Sequence, residues 1–178
     1  MMKLNRTMKQ VFAILFFSIA TVGIFSCGSD NSLEELRKNE LALLDEYLLE
    51  NYPDVEPKPS GLYYIEEVKG TGDTIKNGDQ VQIYYATWLL KDSVLIDQSS
   101  GYLDGHRYEP FTVNVGSGTA IQGLEEALTY MQKGTVANLV INSELAYGQN
   151  GNSSSTPYVA GFSTLLMQVE VYKVYSSN

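Results

Sequence analysis

The chain has 178 residues, of which 44% are hydrophobic and 19% are charged, and its formal net charge at pH 7 is −9. This composition is ordinary for a folded protein and excludes a chain that is disordered throughout. The acidic balance also argues against nucleic-acid partners, because phosphate binding requires Lys and Arg to replace counterions.

The first 26 residues have the features of a secretory signal peptide. Lys3, Arg6 and Lys9 precede an uncharged, mostly apolar run over 11–25, and small residues follow it. That run is shorter than the roughly 20 apolar residues that a membrane span needs. We therefore predict a signal peptide over 1–26. Its removal would leave nine basic against 21 acidic residues, an even more acidic chain.

The cysteine of the chain, Cys27, stands where this signal should end. The segment 24–27 resembles a bacterial lipoprotein box, in which the cysteine is lipidated and becomes the first residue of the mature chain. Phe25 is bulkier than the residue usually found in such a box, and a plain signal peptide with an incidental cysteine is the alternative. A single thiol without a disulfide partner in an exported chain favours lipidation. We expect a lipid on Cys27 and a location in the bacterial cell envelope, anchored to a membrane and facing the periplasm or the exterior.

A polar tether over 27–32 leads into a helix predicted over 33–51. Ser32 and Glu35 have the spacing of an N-terminal capping box. Three prolines end the helix and make 52–60 a stiff linker. Leucines recur along one side of the helix at positions 33, 36, 41, 44 and 48. This side fits three roles, of which docking on its own domain is favoured over dimerisation and over binding a partner.

Residues 61–178 are predicted to form the main domain. Runs rich in β-branched and aromatic residues predict strands over 62–68, 81–90, 94–97, 111–115, 136–141 and 165–175. Apolar residues at helical spacing predict one short helix over 121–131. Strands with a single helix among them do not make βαβ units. The predicted fold class is therefore α+β, an antiparallel sheet wrapped around one helix, preceded by the N-terminal helix.

The residue inventory argues against the usual catalytic devices. His106 is the one histidine of the chain and Cys27 its one cysteine, so a zinc site of the usual kind is excluded. No nucleophile turn of the G-x-S-x-G type accompanies His106, which argues against a Ser-His-Asp triad. We expect no metal and no cofactor.

One segment, GSGTAIQG at 116–123, looks like a nucleotide-binding loop because its glycines lie between a strand and a helix. It lacks the G-x-G-x-x-G spacing of dinucleotide sites and the lysine of phosphate loops. Gly116 and Gly118 are therefore predicted to turn the backbone sharply. That turn would let Ala120 and Ile121 face an apolar cavity.

Five motifs follow one another from residue 61 onward. They are GLYYIEEVKGTGDTIKNGDQVQIYYATWL, ID at 96–97, PFTVNVGSGTAIQGLEEAL from 110, ELAYG at 144–148 and STLLMQVEVYKV from 163. The ordered set resembles the FK506-binding-protein family of peptidyl-prolyl cis-trans isomerases, here in a bacterial lipoprotein form. The resemblance implies a sheet curved around a short helix. It also implies isomerisation of X–Pro bonds in polypeptides without a metal, a cofactor or a covalent intermediate.

The resemblance further implies an apolar pocket and assigns residues to it. Tyr85, Asp97 and Tyr147 fall on catalytic positions, and Tyr147 resembles the tyrosine whose hydroxyl bonds a substrate carbonyl. Asp97 and Arg107 look like the ion pair at the family's pocket edge. The substrate-binding positions implied are Ile96, Arg107, Phe111, Ala120, Ile121, Leu124, Val159 and Met167.

The chain departs from the family pattern inside that pocket. Leu124 stands at the floor, where a Trp or a large apolar residue is usual, and Ile96 and Met167 replace aromatic walls. The loop over 149–163 also lacks the family's usual proline-rich end. The leading prediction is a lipid-anchored isomerase for exported proteins. Two alternatives stay open: a non-catalytic binding or chaperone module, and a structural subunit of an envelope machine that docks through helix 33–50.

Overall fold

A computed structural model describes residues 29–177 of the chain. The predicted signal peptide, 1–26, and the predicted lipidation site, Cys27, lie outside these residues. Residues from Leu36 onward form one compact unit, and 29–35 are the described part of a second unit. No helix within the described part of the chain is long and apolar enough to cross a membrane.

Six strands form one antiparallel sheet, and each begins and ends within one residue of its predicted bounds, which confirms the predicted fold class. They are β1 (Tyr63–Val68), β2 (Gln80–Leu89), β3 (Leu95–Gln98), β4 (Phe111–Asn114), β5 (Val136–Ile141) and β6 (Leu165–Tyr175). The strand order is β1-β5-β6-β2-β3, and β4 also pairs with β2. β2 is long enough to pair with β4 over its first half and with β3 near its end, while β6 runs along its other side.

The inner face of the sheet is the face covered by the short helix α2 (Gln122–Leu128). Strand side chains alternate between faces, so inner residues such as Leu139, Ile141 and Val169 pack with Leu124 and Leu128 of the helix. A Cβ added at Gly123 would lie 2.5 Å from a side-chain carbon of Ile141. The glycine thus allows α2 to lie directly against β5.

Helix α2 is shorter than predicted, because it ends at Leu128 rather than at residue 131. The next residues form turns in which the Tyr130 N–H bonds the Ala127 carbonyl and the Met131 N–H bonds the Leu128 carbonyl. Met131 is nevertheless fully buried in the core. The apolar spacing therefore correctly predicted that Met131 belongs to the core, but it wrongly predicted that this residue lies in the helix.

The outer face of the sheet, opposite to α2, is partly covered by helix α1 (Ser29–Asn51). Leu44 and Leu48 are buried there against Val140 of β5, with Leu166 of β6 packed beside them. Of the three roles that the sequence left open for this helix, these contacts show docking on its own domain. Leu44 and Leu48 are four residues apart, so they lie on the same side of the helix and both face the sheet.

Helix α1 begins at Ser29, four residues before its predicted start at residue 33. The predicted tether over 27–32 is therefore helical from 29 onward, and Ser32 lies inside the helix rather than at its N-cap. The sequence there is polar but contains no proline, and such residues cost only a few tenths of a kcal/mol each in a helix. A capping-box pattern in the sequence thus does not by itself fix the residue at which a helix begins.

Residues 52–60 form turns that connect α1 to β1. The Tyr52 N–H bonds the Leu48 carbonyl at 2.8 Å, and the Lys58 N–H bonds the Leu62 carbonyl at 2.8 Å. The ammonium group of Lys58 lies 4.7 Å from the centroid of the Tyr130 ring. These bonds tie the segment to the structures on both sides of it.

Candidate functional site

An open cavity of about 430 Å³ lies between the sheet, the N-terminal end of α2 and the loop that precedes it. Most of its lining is apolar or aromatic. The lining residues are Tyr85, Thr87, Ile96, Asp97, Phe111, Gly118, Thr119, Ala120, Ile121, Gln122, Leu124, Ala146, Tyr147, Leu165 and Met167. Nine of the eleven residues assigned to the pocket from the sequence are in this set.

Four strands, β2, β3, β4 and β6, contribute residues to the lining of the cavity. Alternation along β2 places Tyr85 and Thr87 on the inner face, and alternation along β6 does the same for Leu165 and Met167. Leu124, from the first turn of α2, is almost fully buried at the base. Thr87 and Leu165 were missed in the sequence reading, although each lies two residues from a predicted pocket residue.

Tyr85 and Asp97 form the polar contact at the rim of the cavity. The Tyr85 hydroxyl donates to Asp97 Oδ2 at 2.6 Å, and the Tyr85 ring meets Phe111 edge to face at 5.6 Å. Burial raises the pKa of Tyr85 above its usual value, and the hydrogen bond to Asp97 and its negative charge raise that pKa further. Tyr85 therefore stays a neutral donor at physiological pH, with its proton directed at Asp97.

The glycine loop before α2 turns its N–H groups toward a side chain of the helix itself. Glu125 accepts hydrogen bonds from the N–H groups of Gly116, Gly118 and Ala120 at 3.0, 3.2 and 3.0 Å. Gly116 and Gly118 have φ values of 82° and 72°, which glycine adopts without strain. The donors that a phosphate would need are thus occupied by a carboxylate of the chain, as expected for a loop that shapes an apolar pocket.

The hydrogen-bond donors at the cavity include two that are unused among the described residues. Among residues 29–177, neither the Tyr147 hydroxyl nor the Ile121 N–H has an acceptor, and both residues line the cavity. An apolar cavity with two free neutral donors suits a ligand that combines an apolar ring with carbonyl groups.

The predicted ion pair between Asp97 and Arg107 was wrong. Arg107 lies on the outer face, where its guanidinium bonds Glu170 of β6 at 2.7 Å and lies 4.7 Å from the centroid of the Tyr102 ring. Tyr102 in turn stacks on Tyr84. The residues after Asp97 fold the chain across the outer face, and Arg107 is carried there with them.

Val159 is also placed away from the cavity. Its side chain is fully buried in the main core, and its backbone pairs with Asn152 in an isolated bridge. The segment over 149–163 therefore contributes a core residue at this position and no lining residue. The pocket wall expected from it is formed instead by Ala146 and Tyr147.

The fold and this site together define a class of protein. It has an antiparallel sheet packed on one short helix and a mostly apolar cavity with neutral donors, which has room for an apolar ring and carbonyl groups beside it. The family model described as FKBP-type peptidyl-prolyl cis-trans isomerase matches residues 72–172. The chain belongs to this family of isomerases.

Two relatives with similar sequences have related names. A probable FKBP-type peptidyl-prolyl cis-trans isomerase of Haemophilus influenzae is 36% identical over 121 residues, which are 68% of this chain and 46% of that protein. An FK506-binding protein of Neisseria meningitidis serogroup B is 33% identical over 115 residues, 65% of this chain and 97% of that protein. The match thus spans about half of the first relative and nearly all of the second.

Two solved structures share the fold. A peptidyl-prolyl cis-trans isomerase from Pseudomonas syringae pv. tomato aligns with a TM-score of 0.66 at 26% identity, over 80% of this chain and 96% of that one. FkpA from Escherichia coli aligns with a TM-score of 0.66 at 25% identity, over 99% of this chain and 76% of that one. The second alignment extends over nearly the whole length of the chain, beyond the part that the family model matches.

Proposed function

We propose that this protein is an exported peptidyl-prolyl isomerase, anchored to a membrane by a lipid on Cys27, that acts on X–Pro bonds of polypeptides folding in the bacterial cell envelope. The observation that carries the catalytic part is the cavity, whose mostly apolar lining includes two free donors, the Tyr147 hydroxyl and the Ile121 N–H. Family membership supports the same activity. The export and the anchor are supported by the sequence of the first 27 residues.

The reaction makes modest chemical demands that this cavity meets. Rotation about a peptide bond is opposed by a barrier of about 18–20 kcal/mol that arises from amide resonance, and X–Pro bonds isomerise unaided in tens to hundreds of seconds. A turnover near 10² s⁻¹ requires that the barrier fall by about 4–6 kcal/mol, at 1.36 kcal/mol per tenfold. No bond to a nucleophile or a metal is needed for such a change.

The cavity lowers the barrier by binding the twisted amide better than the planar one. Twisting removes resonance, so the amide nitrogen loses its positive character and the group tolerates an apolar surrounding better. Leu124 and Met167 provide that surrounding for the proline ring. The Tyr147 hydroxyl and the Ile121 N–H can hold neighbouring carbonyl groups in the geometry of the twisted state. Tyr85 and Asp97, bonded to each other, fix the rim against which the peptide lies.

The catalytic part is tested with the full-length protein in detergent and an X–Pro peptide in a protease-coupled assay. We expect Tyr147→Phe to lower kcat about tenfold, because one hydrogen bond to the transition state is worth about 1–1.5 kcal/mol. Tyr158→Phe is the matched control, since Tyr158 is 57% exposed and does not line the cavity. A wild-type rate equal to the uncatalysed one, with the fold intact by circular dichroism, would refute the proposal.

A second candidate, a non-catalytic binding or chaperone module, is favoured by one observation. Ile96, Leu124 and Met167 present aliphatic groups where aromatic rings are usual in the family, so fewer flat surfaces face a bound proline. In this case the protein would suppress aggregation of an unfolded protein without isomerase activity. Suppression that persists in Tyr147→Phe and Asp97→Ala variants would favour the module, and its loss in both would count against it.

The anchor is tested in cells with a clickable fatty-acid analogue. We expect the wild-type chain to incorporate the label and to sediment with membranes, because a thioether-linked lipid partitions into the bilayer. A Cys27→Ala variant would lack the label and appear in the soluble fraction, whereas a Ser26→Ala variant would behave like wild type. Equal labelling of the Cys27→Ala variant would overturn this part of the proposal.

A further inference from the structure

Helix α1 carries a buried carboxylate that apolar docking does not require. The side chain of Glu40 is 1% exposed, although it lies on the same helix as Leu44 and Leu48, which already pack on the sheet. Burying a carboxylate is costly unless it is fully hydrogen-bonded. A glutamate at this position therefore does something that another leucine would not.

The carboxylate of Glu40 joins two separate segments of the main domain. Oε1 accepts from the Ser143 N–H at 2.7 Å and from the Thr164 hydroxyl at 2.9 Å. Oε2 accepts from the Ser143 hydroxyl at 2.7 Å and from Arg37 at 2.6 Å. Each oxygen thus accepts two hydrogen bonds, and Arg37, which also pairs with Glu144, offsets the buried charge.

Both of these segments lead directly into the cavity. Ser143 opens the 3₁₀ turn Ser143–Leu145, after which Ala146 and Tyr147 line the cavity. Thr164 immediately precedes Leu165, which lines it from the start of β6. Glu40 thus bonds the bases of two neighbouring parts of the cavity wall from behind.

We propose that Glu40 is a positioning residue for the isomerase site, holding the turn that carries Tyr147 against the start of β6. The inference rests on the proposed function, because it assigns to Glu40 the task of placing the Tyr147 hydroxyl. Helix α1 is then a structural part of the active site of this chain and not an appended segment. The carboxylate acts through hydrogen-bond geometry, since its charge is already balanced by Arg37.

The test separates positioning from simple docking with two variants of the full-length protein. Glu40→Ala removes the acceptor and leaves the apolar contacts of α1 in place. Leu48→Ala weakens the apolar contacts and leaves the acceptor. We expect Glu40→Ala to lower kcat at least tenfold with KM changed less than twofold, and Leu48→Ala to keep kcat within twofold. Glu40→Gln, which keeps one acceptor oxygen, is expected to restore kcat to within threefold of wild type.

Hydrogen exchange gives a second readout that does not depend on activity. The Ala146 N–H bonds the Ser143 carbonyl, and the Gly151 N–H bonds the Tyr147 carbonyl. We expect both amides to exchange at least tenfold faster in Glu40→Ala and at the wild-type rate in Leu48→Ala. If Glu40→Ala fails to fold, Thr164→Val, which keeps the shape and removes one bond to the carboxylate, is expected to lower kcat about threefold.

The outcomes distinguish the two proposals. An inactive wild-type protein would refute the isomerase function. Hydrogen exchange alone would then test whether Glu40 holds the turn before Tyr147 in place. Equal losses of kcat in Glu40→Ala and Leu48→Ala would overturn the positioning role, because docking alone would explain them. Unchanged kcat and unchanged exchange in Glu40→Ala would overturn it as well.

Discussion

The two faces of the sheet differ in whether they leave neutral hydrogen-bond donors without an acceptor. On the inner face, the Tyr147 hydroxyl and the Ile121 N–H at the cavity have no acceptor among residues 29–177. On the outer face, Glu40 accepts four hydrogen bonds and Arg107 is paired with Glu170. Charged side chains alone therefore do not mark the site in this protein. Unused neutral donors beside an apolar surface do.

The same strand serves both faces. Tyr84 and Tyr85 are neighbours on β2, yet Tyr84 stacks with Tyr102 on the outer face while Tyr85 lines the cavity. The period of two in a strand sends adjacent side chains to opposite sides. Two tyrosines that are adjacent in sequence therefore lie in different surroundings, one packed on the outer face and one at the cavity.

The largest expected difference between the faces is in stability. Leu128 of α2 is fully buried, whereas Leu48 of α1 is 7% exposed. We expect Leu128→Ala to lower the free energy of unfolding by about 3–5 kcal/mol and Leu48→Ala by about 2–3 kcal/mol. Urea unfolding followed by circular dichroism measures both. Equal losses would show that the outer helix is as much a part of the core as α2.

A substitution at the base of the cavity tests its aliphatic lining. The cavity of about 430 Å³ next to Leu124 has room for a larger ring. We expect Leu124→Trp to raise kcat/KM about three- to tenfold, because a flat ring against proline adds about 0.5–1.5 kcal/mol. The added bulk should cost about 1–3 kcal/mol of stability. Leu124→Met is the control, because it conserves the side-chain volume. Unchanged or lower kcat/KM in Leu124→Trp would contradict the expectation that a flat ring at this position improves catalysis.

Substitution of Arg107 tests whether the outer face contributes to stability without contributing to activity. Removing its ring contacts and its ion pair in Arg107→Ala should lower the free energy of unfolding by about 1–2 kcal/mol. We expect kcat/KM to stay within twofold of wild type, since Arg107 lies on the outer face. Glu170→Gln serves as the matched control for the same ion pair. A large loss of activity in Arg107→Ala, without a similar loss in Glu170→Gln, would show that Arg107 acts at the pocket edge.

The smallest effect is expected at Asp79, which immediately precedes β2 and belongs to neither helix. The N–H groups of Lys76 and Ser177 donate to its buried carboxylate, and these bonds hold the pKa of Asp79 below its usual value. A lowered pKa in the folded state means that this stabilisation is present above the unfolded pKa of about 3.9 and is lost as pH falls through the folded pKa.

Asp79→Asn should therefore cost about 1 kcal/mol at pH 7. The difference from wild type should shrink as the pH falls below about 4, because protonation then removes the advantage of the carboxylate. Urea unfolding at pH 7, 4 and 3 measures this difference. A constant difference across that range would show that the side chain acts through shape and not through its charge.

Much of the fold was predictable because local patterns carry it. The family resemblance assigned Tyr85 and Met167 to the cavity, which both residues line, and the glycines before α2 were rightly predicted to form a turn for an apolar cavity. Glu125 was missed as the acceptor of that turn, although a glutamate in the first turn of the helix after G-x-G was a usable signal. Glu40 offered no such signal, since Ser143 and Thr164, its partners beyond the helix, lie more than 100 residues away.

The sequence by itself determined the order of the strands along the chain, the short helix among them and the apolar character of the cavity. These follow from periodicity and residue type, which act over a few neighbouring residues. Only the tertiary structure decided that Arg107 pairs with Glu170 rather than Asp97, and that α1 reaches the turn before Tyr147 through Glu40. Such pairings depend on how loops cross a sheet and which segments meet in space, and no local pattern encodes that.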